Sequence, residues 1–266
     1  MTAPALGVRH RELTRLRTLA RDRGERDTAG LVVIDGPRAV DGAIVRRASI
    51  DTVYVDVDAH GAAGEVARRA RDSGARVREV APGALERAGD VRTNAGVIAL
   101  ARRPETPTRA ALAHGACWLV CPEIGDPGNL GALLRSAEAA GAAGIVIGPG
   151  SADVYNPKSV RASAGAVFGI TVLEDDIVTV LSDFATHGVQ RVGAVAHGGV
   201  APWSCRFAPR VALVLGHETR GLDDLAVDEQ VSIPMAGAAE SLNVAAAATV
   251  LLFEVARRHQ SAGVTA

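Results

Sequence analysis

Val211-Ala-Leu-Val-Leu-Gly-His-Glu-Thr-Arg-Gly-Leu222 sets five apolar residues directly against a polar turn held between two glycines. A short apolar run bounded by turn residues predicts a fully buried strand, the kind found inside a parallel sheet. Gly216 lets a ligand approach the backbone, and Glu218 just beyond is placed to orient a polar group. His217 has no partner at metal-ligand spacing, so it reads as a turn histidine rather than a general base or ligand.

Two further stretches end strands in the same manner. In Asp126-Pro-Gly-Asn-Leu-Gly-Ala-Leu-Leu-Arg135 the Pro and Gly force a turn and Asn129 is a good helix cap. Gly131 permits close approach of another backbone, and Arg135 offers a planar fork of five donors. In Val231-Ser-Ile-Pro-Met-Ala-Gly-Ala-Ala-Glu-Ser-Leu-Asn-Val244 a short strand enters a Pro/Gly loop, after which Ser241 and Asn243 open an Ala-rich helix with Ser241 as its cap. Open parallel sheets bind ligands beyond the carboxyl ends of their strands. Taken singly, each stretch also reads as an ordinary capped helix or tight turn.

Around these stretches, apolar runs alternate with helical spacing. Leu13, Leu16, Leu19 and Ala20 predict a helix over 9–23, followed by strands at Leu31–Ile34, Val53–Val57, Val77–Val80 and Gly96–Leu100, with helices after Pro37, at Glu65–Arg71 and near Leu85. Strand and helix in alternation predict a parallel sheet faced by helices. The stretch Arg102–Arg109, with two prolines and few apolar residues, reads as a linker. A second α/β series begins at Cys117–Cys121. It continues through a helix at Asn129–Ala140, strand Gly144–Ile147, helix Pro157–Ala164, strand Ile170–Leu173 and helix Ile177–His187. Strands Val192–Ala196 and Val211–Leu215 and a closing helix Ser241–Arg258 complete it. The expected division is a domain over 1–105, a linker over 106–115 and a second domain over 116–266.

The 266 residues are 48% hydrophobic and 22% charged, which excludes wholesale disorder. Aromatics are 3%, so the core is built from Ala, Val, Leu and Ile, as α/β packing prefers. A net charge of −1 hides an asymmetry, since residues 1–105 hold 19 Arg against 15 acids and the remainder is net acidic. The front part suits a polyanionic partner. Met1–Val8 lacks the basic start and apolar stretch of a secretory signal, and Val244–Phe253 is far short of the ~20 residues that span a bilayer. Cys117, Cys121 and Cys205 have neither disulfide-framework nor zinc-site spacing, so buried thiols, no metal and a cytoplasmic protein are expected. The lysine phosphate loop, nucleophile elbow and metalloprotease histidine pair are absent. Gly148-Pro-Gly150 after a strand does not continue into a dinucleotide fingerprint, which disfavours a nicotinamide oxidoreductase.

In their order and spacing, the three stretches resemble the signature motifs of the SpoU/TrmH (SPOUT) family of RNA ribose 2′-O-methyltransferases. The likeness is carried by Asn129-Leu-Gly-Ala-Leu-Leu-Arg135, by Leu215-Gly-His-Glu218 with Gly221-Leu222, and by Ile233-Pro-Met-Ala-Gly237 leading to Ser241-Leu-Asn243. Asn156-Pro-Lys-Ser-Val-Arg-Ala-Ser-Ala-Gly-Ala166 is similar to the family's middle segment. The resemblance covers roughly residues 117–260. It extends less sharply to Leu31-Val-Val-Ile-Asp-Gly-Pro-Arg-Ala-Val40, which looks like the start of a ribosomal-protein-like substrate-binding domain. Two departures stand near the expected pocket: His217 replaces a small residue, and Glu240 a small polar one.

The resemblance implies an α/β chain whose C-terminal methyltransferase domain is tied in a trefoil knot, preceded by a smaller α/β RNA-binding domain and assembled as a homodimer. It implies S-adenosyl-L-methionine held by Gly216, Ile233 and Leu242, with Met235 and Gly237 in the same loop. It gives catalytic roles to Arg135, Asn129, Glu218, Ser241 and Asn243. A guanidinium is essentially never deprotonated in a protein, so Arg135 is expected to stabilise the ribose alkoxide and the adjacent phosphate, with the proton lost to water or phosphate. For RNA, Arg9, Arg11, Arg15 and Arg17, together with Arg21, Arg23 and Arg26, form a basic front, and Lys158 and Arg161 add contacts. The two-domain layout favours 23S ribosomal RNA, in some members linked to resistance against a ribosome-targeting antibiotic. A tRNA 2′-O-methyltransferase and a non-catalytic RNA-binding protein are the alternatives.

Overall fold

A computed structural model describes residues 4–86, 96–217, 220–222 and 225–264. The chain divides into two compact units, one formed by Met1–Glu105 with Asp153–Gly169, the other by Thr106–Ala152 with Ile170–Ala266.

The first unit opens on two helices, α1 (Arg11–Arg21) and α2 (Arg23–Ala29), where one was expected. Asp22 takes an extended conformation between them and its carboxylate accepts the Glu25 N–H, so it ends one helix and caps the next. Leu13, Leu16 and Leu19 point into the core as their spacing predicts. The strands are β1 (Leu31–Asp35), β2 (Ile50–Asp56), β3 (Arg76–Val80) and β4 (Val97–Arg102), with α3 (Pro37–Val45) and α4 (Ala62–Asp72) between them. Their order is β1-β4-β2-β3, and β4 runs antiparallel to both β1 and β2. The expectation of a parallel sheet is thus corrected to a mixed one. Val55 faces both Glu79 and Val97, so β4 starts at the end where β3 stops and needs no crossover helix. Consistently, Leu85 lies in a turn instead of the helix expected there.

Residues 153–169, which the sequence division places with the back domain, pack in this first unit. They hold α6 (Pro157–Ala162), capped by Asn156. The nearly inaccessible Arg26 bonds Asp153 at 2.5 Å and the Leu19 carbonyl at 2.8 Å. Arg161 bonds the buried Asp35 at 2.9 Å. Gly165 adopts φ +82, and a Cβ there would stand 2.7 Å from the Ala43 nitrogen, so only glycine lets this segment close onto α3.

The second unit is an all-parallel sheet. Its strands are β5 (Cys117–Cys121), β6 (Gly144–Ile147), β7 (Thr171–Glu174), β8 (Gln190–Ala194), β9 (Val211–Val214) and β10 (Glu229–Val231), in the order β10-β8-β9-β5-β6-β7. β5, β6 and β9 are buried along their whole length, which is why they read as continuous apolar runs. The helices are α5 (Pro127–Ala139), α7 (Ile177–Thr186) and α8 (Val244–Ser261). Trp118 and Phe184 meet at 6.1 Å between ring centres in its core. All three cysteines are free and buried, and burial pushes the Cys117 thiol up to about 12. Among the described residues no helix is long and apolar enough to cross a membrane.

Candidate functional site

Because β8, β9 and β10 run parallel, their carboxyl ends share one edge of the sheet, and there a cavity of about 520 Å³ opens. Its walls come from four separate parts of the second unit. Ala194 ends β8 and Val195 and Ala196 follow it; Leu215, Gly216 and His217 follow β9; Ile233 and Met235 follow β10; and Ser241, Leu242 and Asn243 lead into α8. Asn129 of α5 closes the ring.

Local chemistry fixes these positions. Pro127 occupies the first helical position of α5, and the Asp126 carboxylate accepts the Asn129 N–H at 2.8 Å. Asp126, not Asn129, is therefore the cap, and the Asn129 side chain is left for the cavity. Likewise α8 begins at Val244 with Asn243 as its cap, its Oδ1 accepting the Ala245 N–H at 2.9 Å, so the cap expected at Ser241 belongs to Asn243. The carboxamides then join across the site: Asn243 Nδ2 donates to Asn129 Oδ1 at 3.1 Å. Nearly two turns deeper, Ser136 and Thr249 hydroxyls meet at 2.6 Å, tying α5 to α8.

The β9 turn is clamped at its base, where His217 N–H donates to the Gly221 carbonyl at 2.7 Å and Gly221 N–H returns the bond at 3.0 Å. A Cβ on Gly216 would stand 3.1 Å from the Gly221 backbone, so a side chain at 216 would crowd the turn. His217 Nδ1 lies 3.4 Å from Glu123 Oε2, a partner 94 positions upstream that local spacing does not reveal.

Of the residues expected at the site, Asn129, Gly216, Ile233, Met235, Ser241, Leu242 and Asn243 line this one cavity. Gly237 does not line it. Arg135 stands exposed on α5, outside the lining, and its side chain makes no hydrogen bond to another described residue. Glu218 lies outside the described residues. Sequence reading missed Glu123 and the wall Ala194–Ala196; for the latter, the end of an apolar strand was the available signal.

The expected RNA contacts all fall in the first unit. Arg9, Arg11, Arg15, Arg21, Arg23 and Lys158 are exposed. Arg17 donates to the Val8 carbonyl at 2.6 Å, and Arg161 is engaged by Asp35. Arg26 is withdrawn from the basic front, because it is buried in its pair with Asp153.

Residues 116–253 match the SpoU rRNA Methylase family. The 23S rRNA (uridine(2479)-2′-O)-methyltransferase of Streptomyces viridochromogenes is 39% identical over 145 residues, 51% of this chain and 50% of that protein. The 23S rRNA (guanosine(2553)-2′-O)-methyltransferase RlmP of Bacillus subtilis is 33% identical over 140 residues, 52% of this chain and 56% of its own length. The match thus spans about half the length of these curated relatives. The crystal structure of the SpoU methyltransferase AviRb from S. viridochromogenes, in complex with the cofactor AdoMet, superposes with a TM-score of 0.78 at 29% identity, covering 95% of this chain and 99% of that one.

Replacing Asn243 with Ala removes both the α8 cap and the link to Asn129. Thermal unfolding is expected to show a loss of about 1 kcal/mol, and an unchanged midpoint would show that the cap carries no stability.

Proposed function

This chain belongs to the SpoU rRNA methylase family, and from that membership we propose that it transfers a methyl group from S-adenosyl-L-methionine to a ribose 2′-hydroxyl of 23S ribosomal RNA. The observation that carries this reading is the single cavity onto which the three family motifs converge. Its volume lies in the range of small-molecule sites, and its walls combine apolar Leu215, Ile233, Met235 and Leu242 with the open backbone of Gly216. Those residues fit an adenosine ring and a flexible sulfonium chain held mainly by main chain and aliphatic contact. When bound, S-adenosyl-L-methionine supplies an electrophilic methyl group.

Gly216, Ile233, Met235 and Leu242 hold the donor, while Gly237 shapes the loop between Met235 and Ser241. Asn129 and Asn243, already bonded to each other, present one rigid polar edge to the ribose. Ser241 hydrogen-bonds near the reacting oxygen, and Glu218 secures its turn. Arg135 stands outside the donor cavity, as a residue that meets RNA does, and its charge stabilises the alkoxide and the neighbouring phosphate. Family membership supports a trefoil knot in the methyltransferase domain, here 116–266, and a ribosomal-protein-like RNA-binding role for 1–105. Solvent-facing Val250 and Phe253, at helical spacing on α8, support a homodimer formed through the C-terminal part. The cytoplasm is the compartment that holds the substrate.

Labelled methyl from S-adenosyl-L-methionine is expected on a single ribose of 23S rRNA and not on tRNA, and mapping the modified nucleotide reads this directly. Arg135→Ala should lower transfer by roughly 10²-fold or more with donor affinity by calorimetry unchanged; lost donor affinity would reject the role given to Arg135. For RNA binding, deleting residues 1–29 would strip Leu13, Leu16 and Leu19 from the core. Arg9, Arg11 and Arg15 are better changed together to Gln. The slope of log affinity against log salt should fall by about 0.7–0.9 for each phosphate that these side chains no longer neutralise, and an unchanged slope would exclude these arginines.

A further inference from the structure

Among the described residues that line the cavity, His217 alone has a titratable side chain. Asn129, Ser241 and Asn243 are poor proton acceptors, and a guanidinium such as that of Arg135 has no lone pair to offer. A ribose hydroxyl must nevertheless shed its proton as its oxygen attacks.

The surroundings of His217 suit that task. Its side chain is 17% exposed, and Nδ1 faces Glu123 Oε2 at 3.4 Å. A carboxylate only accepts, so its place beside Nδ1 favours the tautomer with the hydrogen on Nδ1 and the lone pair on Nε2. Arg220, on the same turn, sets Nη2 3.4 Å from Nδ1 and 3.5 Å from Nε2. Such near-equal separations lay the guanidinium across the ring, not along either lone pair. The ring is thus flanked by a carboxylate on one side and a guanidinium on the other. The reciprocal backbone bonds between His217 and Gly221 fix the main chain from which the ring projects.

We propose that His217 accepts the 2′-hydroxyl proton, with Glu123 as the positioning residue that orients its ring. This rests on the methyl-transfer reading. The O–H bond breaks as its proton passes to Nε2, and the oxygen forms the new bond to the methyl carbon. The S–CH₃ pair returns to sulfur, leaving a neutral thioether, and the imidazolium later releases its proton to water.

His217→Gln is expected to lower the single-turnover rate at saturating donor and RNA by about 10²- to 10⁴-fold. The acid limb of the wild-type rate profile should disappear, while the calorimetric affinity for S-adenosyl-L-methionine stays within about threefold of wild type. Nitrogen-15 imidazole spectra of the donor-free protein should show the Nδ1-protonated tautomer at His217, absent in Glu123→Gln, which should retain more activity than His217→Gln. An unaltered rate and pH profile in His217→Gln would overturn the proposal, as would a loss of donor affinity that accounts for the loss of rate. Wild-type transfer is read alongside: its absence removes the methyltransferase reading itself, whereas transfer indifferent to His217 removes only this assignment.

Discussion

Parallel registration of β10, β8, β9 and β5 is the constraint on which the site depends. A parallel ladder leaves every strand's carboxyl end at the same edge, so turns far apart in sequence are delivered to one place without long loops. At its centre β5 and β9 can carry this because they are buried along their whole length, in a core that takes in Val120, Val214 and Leu222. Antiparallel insertion of one of these strands would send its following turn to the opposite edge and open the wall. The first unit accepts that arrangement at β4, and no comparable ring of loops is required of it.

Polar detail is then built on rigid helix starts. Asp126 and Asn243 satisfy the free N–H groups of α5 and α8, and the bond from Asn243 to Asn129 locks the two starts together. Polar pairing also divides the basic front. Arg26 and Arg161 direct their charge inside the protein, to Asp153 and Asp35, and fix residues 153–169 to the first unit. Arg9, Arg11 and Arg15 stay at the surface, where an extended polyanion can be met.

Much of this was legible in the amino-acid order. Continuous apolar runs marked β5, β6 and β9 because a strand buried on both faces has no polar alternation to confuse it. Seven residues named from motif spacing line one cavity, since each motif sits just past a strand end. What was hidden depends on distance through space. Nothing local says that Val97–Arg102 inserts between β1 and β2, that Arg26 meets Asp153, or that Glu123 reaches His217. Caps were misplaced by three residues at α5 and two at α8 because Asp126, Asn129, Ser241 and Asn243 are all competent caps, and only backbone geometry selects among them.

The convergence of distant loops on one donor pocket is tested most directly by amide hydrogen exchange with and without S-adenosyl-L-methionine. Protection should rise together in residues 215–217, 231–235 and 241–246 and leave β1 to β3 unchanged. Protection confined to one of those loops, or arising elsewhere in the chain, would contradict it.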